Sequence, residues 1–531
     1  MTFFDVRSQL QRVIYERTVA ACKMGDQRRE DVRSVEDLER YRSEMRARFI
    51  ESMGGLPSSK TALNARTTGT VDGEGFRIEK VVFESRPGIY VTTNLYLPSD
   101  TDEPGGAVLF LCGHAIEGKH HEDYQVVCQH LVKAGLVVLA QDPVGQGERL
   151  SFCEAAIDEP AINGGSAEHS YVGCRCLPLG QSLIRYFVHD SMRSLDYLAE
   201  RPEVDPVKIG VTGSSGGGTQ TCAMMMCDPR IAAAAPSNFL MSRSSYLYSG
   251  GAQDSEQIWT GFTADGYDHE DILISMAPRP VLVGAVDSDF FPIEGTKRTV
   301  NRCERFWDLY DRKDRLCLCV DHSTHSFTGK LARAVAKFFS THLLGRPNSR
   351  DKPRTRALDA AMLQATPTGQ VKTSYDRARD IHDENRRCYD ELNRLRASDD
   401  ESVRRTAAIV WLKEKVLSDR PAGELNPRYF FSGNFQELTL RKILWWPQAG
   451  LMNHGILLAD GRTNPPRNGR PLTVAVWDEG TLAINRHIDW IREETSNGRS
   501  VLVLDVSGVG EVMPNPINEY PYQGFYGTLY K

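Results

Sequence analysis

Two rhythms of apolar and polar residues alternate along the chain. Residues 5–54 carry apolar positions at helical spacing and predict two amphipathic helices. The second runs through Leu38, Tyr41, Met45 and Phe49, with Ser34 and Asp37 placed to cap its start and Gly54-Gly55 to stop it. Residues 68–98 switch to strand character. The runs 76–83 and 89–97 flank a turn at Arg86-Pro-Gly88 and predict an antiparallel hairpin. A strand–helix alternation follows. Strands are expected at 107–112, 136–141, 208–212, 231–236, 280–286 and 316–320. Helices are expected at 124–134, 181–200, 219–227, 303–310 and 330–343. Such strands need both faces covered, so the pattern predicts an α/β fold: a mostly parallel sheet with helices on both faces.

Segments 151–180 and 238–276 interrupt this rhythm. Both leave from strand C-terminal ends, where ligands bind in open α/β sheets, so they are candidate lids or pocket walls. Their aromatic residues, Phe152, Tyr171, Tyr246, Tyr248, Trp259, Phe262 and Tyr267, are expected mostly to pack the insertions onto the body. Residues 346–372, rich in Pro, Arg, Thr and Ser, read as a linker, and 373–397 and 400–418 as two polar helices with a narrow docking stripe.

The tail from about 426 repeats the front of the sheet. Leu440-Arg-Lys-Ile-Leu-Trp-Trp446 and His454-Gly-Ile-Leu-Leu-Ala459 mirror the early hairpin, and 472–476 mirrors the first parallel strand. Asp142-Pro-Val-Gly-Gln-Gly-Glu148 returns as Asp505-Val-Ser-Gly-Val-Gly-Glu511. This predicts an internal duplication whose second copy has no counterpart of strand 208–212. The expected segments are a helical 1–65, a sheet domain 66–345, linker and helices 346–425, and a partial repeat 426–531.

Composition narrows the picture. A net charge of −6 gives no basic face for nucleic acid. No apolar run reaches the roughly 20 residues of a membrane span. The start, Met1-Thr-Phe-Phe-Asp-Val-Arg7, has no signal-peptide pattern, so a cytoplasmic location is expected. The 12 cysteines are scattered; Cys112, Cys317 and Cys319 lie in apolar runs and are expected to be buried free thiols. Cys174-Arg-Cys176 with His169 nearby has the wrong spacing for a zinc knuckle, and no metal site is expected. His120 and His121 are expected to be solvent-exposed.

The candidate chemistry lies between strand 208–212 and helix 219–227. Gly213-Ser-Ser-Gly-Gly217 is a Gly-x-Ser-x-Gly frame in a strand–turn–helix setting, the arrangement that presents a nucleophilic serine on a sharp turn. It puts Ser215 in the nucleophile position; Ser214 would need Thr212 where a tight turn wants glycine. A serine hydroxyl needs a base to take its proton and a carboxylate to orient that base. Asp287 and Asp289 follow strand 280–286, and His322 and His325 follow strand 316–320, in the order serine, acid, histidine. Asp289 and His325 are the favoured pair, with Asp287 and His322 left as alternatives. The oxyanion hole is expected to combine the N–H of Gly216 with one from His114 or Ala115, in the loop after the first parallel strand.

Gly113-His114 with Gly118-Lys119, Asp142 through Arg149, Gly213 through Gly218, Asp289-Phe-Phe-Pro292 and His325 resemble the acetyl xylan esterase-like α/β-hydrolases over residues 66–345. The resemblance implies an α/β-hydrolase fold, followed here by helices and a partial second α/β-hydrolase-like repeat. It places Ser215, Asp289 and His325 on the family's triad positions. It implies carboxylic ester hydrolysis through an acyl-enzyme, without a cofactor, on a small-molecule or carbohydrate ester such as an acetylated sugar. No nucleic-acid or membrane partner is expected, and oligomeric state, acyl group and alcohol stay open. Two other readings compete. One is a serine peptidase of the prolyl-oligopeptidase type, against which the short helical segment before the sheet counts. The other is a non-catalytic binding protein on the same fold.

Overall fold

The computed structural model describes residues 6–57, 61–99, 103–153, 162–249, 253–346, 353–417, 420, 423–461 and 469–514. The chain divides into two compact units, residues 18–391 and residues 1–17 with 392–531.

The larger unit is built on a nine-stranded sheet. Its strands are β1 (Arg66–Gly73), β2 (Phe76–Arg86), β3 (Ile89–Pro98), β4 (Gly105–Leu111), β5 (Val137–Gln141), β6 (Val204–Ser214), β7 (Ile231–Ser237), β8 (Val281–Val286) and β9 (Leu316–Asp321). The order is β1-β2-β3-β5-β4-β6-β7-β8-β9. β1, β2, β3 and β5 pair antiparallel, and every pair from β5 to β9 is parallel. The α-helices up to residue 344 are α1 (Gln9–Glu30, which begins in the other unit), α2 (Val35–Ser52), α3 (Glu122–Lys133), α4 (Ser166–Cys176), α5 (Ile184–Ala199), α6 (Gly216–Cys227), α7 (Arg243–Tyr248), α8 (His269–Ile274), α9 (Ile293–Asp308) and α10 (Gly329–Leu344). Alternation inside the strands separates two cores. Leu109, Leu111 and Val211 face a core shared with α2, α5 and α6, whereas Val108 and Phe110 face one shared with α3 and α10. The Ser34 cap forms as its spacing predicts, its hydroxyl accepting from Asp37 N at 3.1 Å.

Several elements depart from the expected pattern for physical reasons. α9 starts at Ile293, ten residues before the expected 303, because the polar stretch at its start faces an insertion: the Thr296 and Thr299 hydroxyls donate to Leu240 O and Met241 O, both at 2.6 Å. Cys317 is exposed and Cys319 half-buried, since β9 is an edge strand; Cys112 is buried. His120 and His121 are half-buried, not solvent-exposed. The described part of the expected linker lies on the body. Gln125 brackets the Leu358 peptide, donating to its O at 3.1 Å and accepting from its N at 2.8 Å, and Gln129 does the same to Arg356 at 2.7 and 3.0 Å. The long polar helix beyond it begins at Ile381, not at 373.

Asp142 and Glu148 organise the centre of this unit. Asp142 Oδ1 accepts from Lys119 N at 2.8 Å, and Oδ2 from Thr92 Oγ1 at 2.7 Å and Lys119 Nζ at 2.5 Å. Lys119 Nζ also reaches Glu148 Oε1 at 2.6 Å, and all three side chains are shut off from solvent. Only glycine fits at 118 and 147, where a Cβ would sit 2.3 and 2.1 Å from Asp142 Oδ1.

The smaller unit holds β10 (Arg428–Phe435), β11 (Leu438–Gln448), β12 (Leu451–Asp460), β13 (Leu472–Val476) and β14 (Ser500–Asp505), in the order β10-β11-β12-β14-β13. This is the order of β1-β2-β3-β5-β4, with the same single parallel pair. Asp505 takes the place of Asp142. It accepts from Thr481 N at 2.6 Å, Thr481 Oγ1 and His454 Nδ1 at 2.7 Å, and Glu511 N at 3.2 Å, with Gly480 and Gly510 closing over it. No helix among the described residues is long and apolar enough to cross a membrane.

Candidate active site

β6 ends at Ser214, α6 opens at Gly216, and Ser215 between them has φ +59° and ψ −122°. A non-glycine residue at positive φ stores strain of order 1–3 kcal/mol, so the surroundings must hold it there. They do so by closeness. A Cβ at Gly213 would stand 2.4 Å from Leu111 O, one at Gly217 2.1 Å from the same oxygen, and one at Gly216 2.7 Å from His114 Nε2. The Ser215 N–H donates to Ser237 O at 3.1 Å, tying the turn to β7. Gly216 lies in the first turn of α6, where backbone N–H groups have no partner within the helix.

The loops after β8 and β9 bring two carboxylate–imidazole pairs together. His325 Nδ1 meets both oxygens of Asp289 at 2.8 and 2.9 Å, with the Asp289 side chain 2% exposed and that of His325 26%. His322 Nδ1 meets Asp287 at 2.8 Å, but this pair is 90% and 35% exposed. The four candidates thus sort into one enclosed pair and one solvated pair. The Phe290 ring covers His325 at 4.4 Å between centroids. No hydrogen bond joins Ser215 Oγ to the His325 ring in this structure; the link between their loops is Asn238. Its Nδ2 donates to Ser214 Oγ at 3.0 Å and to Ser326 O at 2.8 Å, while its own N–H holds Gly284 O at 2.9 Å. Asn238 also has φ +49°. The sequence offered one cue to it: an asparagine, tolerant of positive φ, directly after β7.

The loop after β4 lies against the other side of the turn. A Cβ at Gly113 would stand 2.6 Å from Ser214 O and 3.5 Å from Ser215 Cβ. Gln146 Nε2 donates to both Gly113 O and Ala115 O. In a trans peptide the N–H points opposite to the carbonyl, so the His114 N–H is directed away from Gln146.

The His114 side chain enters a group of acidic and imidazole residues supplied by the two insertions. Its Nε2 lies 2.8 Å from Glu256 Oε1 and its Nδ1 3.5 Å from Asp254 Oδ2. Burial works to lower the His114 pKa, but Asp254 and Glu256 outweigh it and push it up to about 9. His169, from α4, completes the group with Nδ1 3.6 Å from Glu256 Oε2. One side-chain nitrogen or oxygen from each of His114, His169 and Glu256 lies within 4.8 Å of the other two. Cys174 and Cys176 take no part: their thiols donate to Tyr171 O and Val172 O within α4. The insertions therefore wall the turn with charge as well as rings. Of the aromatic residues expected to pack, Tyr246, Trp259, Phe262 and Tyr267 are buried, whereas Tyr171 and Tyr248 stay exposed.

Comparison with known proteins places the chain in a family. The profile of the Abhydrolase family matches residues 14–315. The putative hydrolase YtaP of Bacillus subtilis is 25% identical over 200 residues, which are 36% of this chain and 62% of that protein. Among solved structures, methylesterase BT1017 superposes with a TM-score of 0.52 at 19% identity, covering 71% of this chain and 80% of that one. A putative acetyl xylan esterase from Bacteroides fragilis has a TM-score of 0.45 at 19% identity, covering 55% and 76%.

Proposed function

The chain belongs to the Abhydrolase family and has the α/β-hydrolase fold, and on that basis we propose that it is a serine hydrolase of carboxylic esters. The observation that carries the reading is the strained Ser215 turn at the end of central strand β6, with the enclosed Asp289–His325 pair delivered by the loops after β8 and β9. In the reaction, Ser215 Oγ attacks the ester carbonyl and His325 takes its proton on Nε2. Asp289, on Nδ1, fixes the tautomer that leaves Nε2 as the base. The Gly216 and His114 N–H groups receive the negative charge that develops on the carbonyl oxygen. His325 then protonates the leaving alcohol, and water attacks the acyl-enzyme by the same route. Short acyl esters, acetylated sugars among them, are the substrate class.

Ser215→Ala tests the assignment. It should lower hydrolysis of p-nitrophenyl acetate by at least about a thousandfold and abolish labelling by a fluorophosphonate probe, with an unchanged melting temperature. Retention of most of the activity overturns Ser215 as nucleophile. A wild type that neither labels nor hydrolyses esters overturns the enzymatic reading altogether.

A further inference from the structure

Beside the Ser215 turn the structure presents a polar arrangement that ester hydrolysis does not require. His169 is fully enclosed, and its Nε2 lies 2.7 Å from Val144 O. A carbonyl only accepts, so Nε2 carries a hydrogen, and Nδ1 is the nitrogen left to face inward. Nδ1 faces Glu256 Oε2, 3.6 Å away on a side chain 1% exposed. Neither atom has a hydrogen-bond partner. Buried polar groups are normally satisfied, so this facing pair lacks a partner that both could share. The other Glu256 oxygen faces His114 Nε2 at 2.8 Å, while the far nitrogen of that ring is backed by Asp254. Each imidazole is thus held from behind by an oxygen and turns its inner nitrogen toward one carboxylate. That is the second-shell pattern of metal-ligating histidines, whose outer N–H is donated to a carbonyl or carboxylate.

We propose that His114, His169 and Glu256 form a binding site for a divalent transition-metal ion of the zinc class. Two imidazoles and one carboxylate are a zinc ligand set that leaves a coordination position open. Around a tetrahedral ion with bonds of about 2.0–2.1 Å, ligand atoms lie about 3.4 Å apart. The 3.6 Å approach of His169 Nδ1 to Glu256 Oε2 is close to that spacing, and the three ligand atoms, within 4.8 Å of one another, would draw in around the ion by side-chain rotation. The cation would give His169 Nδ1 and Glu256 Oε2 a shared partner and lock the His114 ring. His114 Nε2 is also the atom nearest the missing Cβ of Gly216. The ion would therefore join both insertions to the β4 loop beside the candidate oxyanion donors, a consequence that rests on the serine hydrolase reading; the metal site itself does not.

The test is direct metal binding by the full chain. After dialysis against a chelator, the wild type titrated with Zn2+ should take up one equivalent in calorimetry, and Co2+ should give the visible absorption of a low-coordinate nitrogen–oxygen site. His169→Ala and Glu256→Gln should each weaken Zn2+ binding at least tenfold. The exposed Cys317→Ser and His322→Ala variants should leave it unchanged. Ser215→Ala should lose ester hydrolysis and still bind one equivalent, so failure of the metal site and failure of the catalytic assignment are read separately. No uptake by the wild type overturns the proposal, as does equal uptake by a folded Glu256→Gln protein. Loss of binding on replacing Cys317 or His322 also overturns it, by moving the ion to the surface.

Discussion

At the scale of single residues, the alternatives left open by the sequence are separated by enclosure. Asp287 and Asp289 are two positions apart, and His322 and His325 three, so spacing alone could not choose between them. The structure pairs 289 with 325 under Phe290 and leaves 287 with 322 in solvent. A carboxylate that orients a base acts through a fixed hydrogen bond, which an exposed pair does not maintain. Asp289→Asn should therefore lower kcat by about three to four orders of magnitude, whereas Asp287→Asn should change it less than about threefold. Steady-state kinetics on one short-chain ester decide between the pairs, and the reverse ranking would exchange the assignments. Other residues at the site were not legible. His114, His169 and Glu256 are brought together from three separate segments, and no local pattern marks such a convergence. Asn238 acts through a hydrogen bond to Ser214 and another to the residue after His325, neither of which leaves a periodic trace.

At the scale of elements, the periodic signal located β4 to β9 and the helices α3, α5, α6 and α10, because each of these buries a defined face, but it did not separately mark β1, β10, α4, α7 or α8. It failed where polar side chains do the fixing, as at the start of α9 and along residues 353–366, which Gln125, Gln129 and Glu148 hold by their backbone. Glu148 carries two roles at once. One oxygen takes Lys119 Nζ at 2.6 Å and Ala365 N at 2.7 Å, and the other takes Thr366 N at 2.7 Å. Lys119→Met would leave Asp142 and Glu148 buried without the ammonium they share, and should destabilise the larger unit by about 3–5 kcal/mol. Burial works to raise the Glu148 pKa, but Lys119 prevails and holds it well below the usual carboxylate range. A carboxylate depressed in the folded state contributes stability that is fully present above its unfolded value, near 4.5, and is lost as pH falls below it. Melting temperatures measured between pH 7 and pH 3 should thus fall less steeply in Lys119→Met than in wild type. A steeper fall would place the stabilising partner of Glu148 elsewhere.

At the scale of the whole molecule, the chain uses one half-sheet design twice. The Asp-x-x-Gly-x-Gly-Glu repeat was visible in the sequence, and its physical content is the aspartate that both copies enclose at the end of a strand. What surrounds that aspartate was not visible. Lys119 neutralises Asp142 in one copy, whereas in the other Thr481 and His454 supply hydrogen bonds to Asp505. The two units have separate hydrophobic cores, one around Leu458, Val501 and Val503 and the others on the faces of the nine-stranded sheet. Units with separate cores can unfold in separate steps. Asp505→Ala removes the acceptor of four hydrogen bonds and leaves the buried Thr481 N–H unpaired, at a cost of about 1–3 kcal/mol, along with the part-buried Glu511 N–H. Scanning calorimetry of the full chain should therefore show one transition lowered and the other in place. Ester hydrolysis below the lowered transition should stay at the wild-type rate, because Ser215, Asp289 and His325 all lie in residues 18–391. Loss of hydrolysis at a temperature where both units remain folded would show instead that the second copy of the half-sheet takes part in the chemistry of the first.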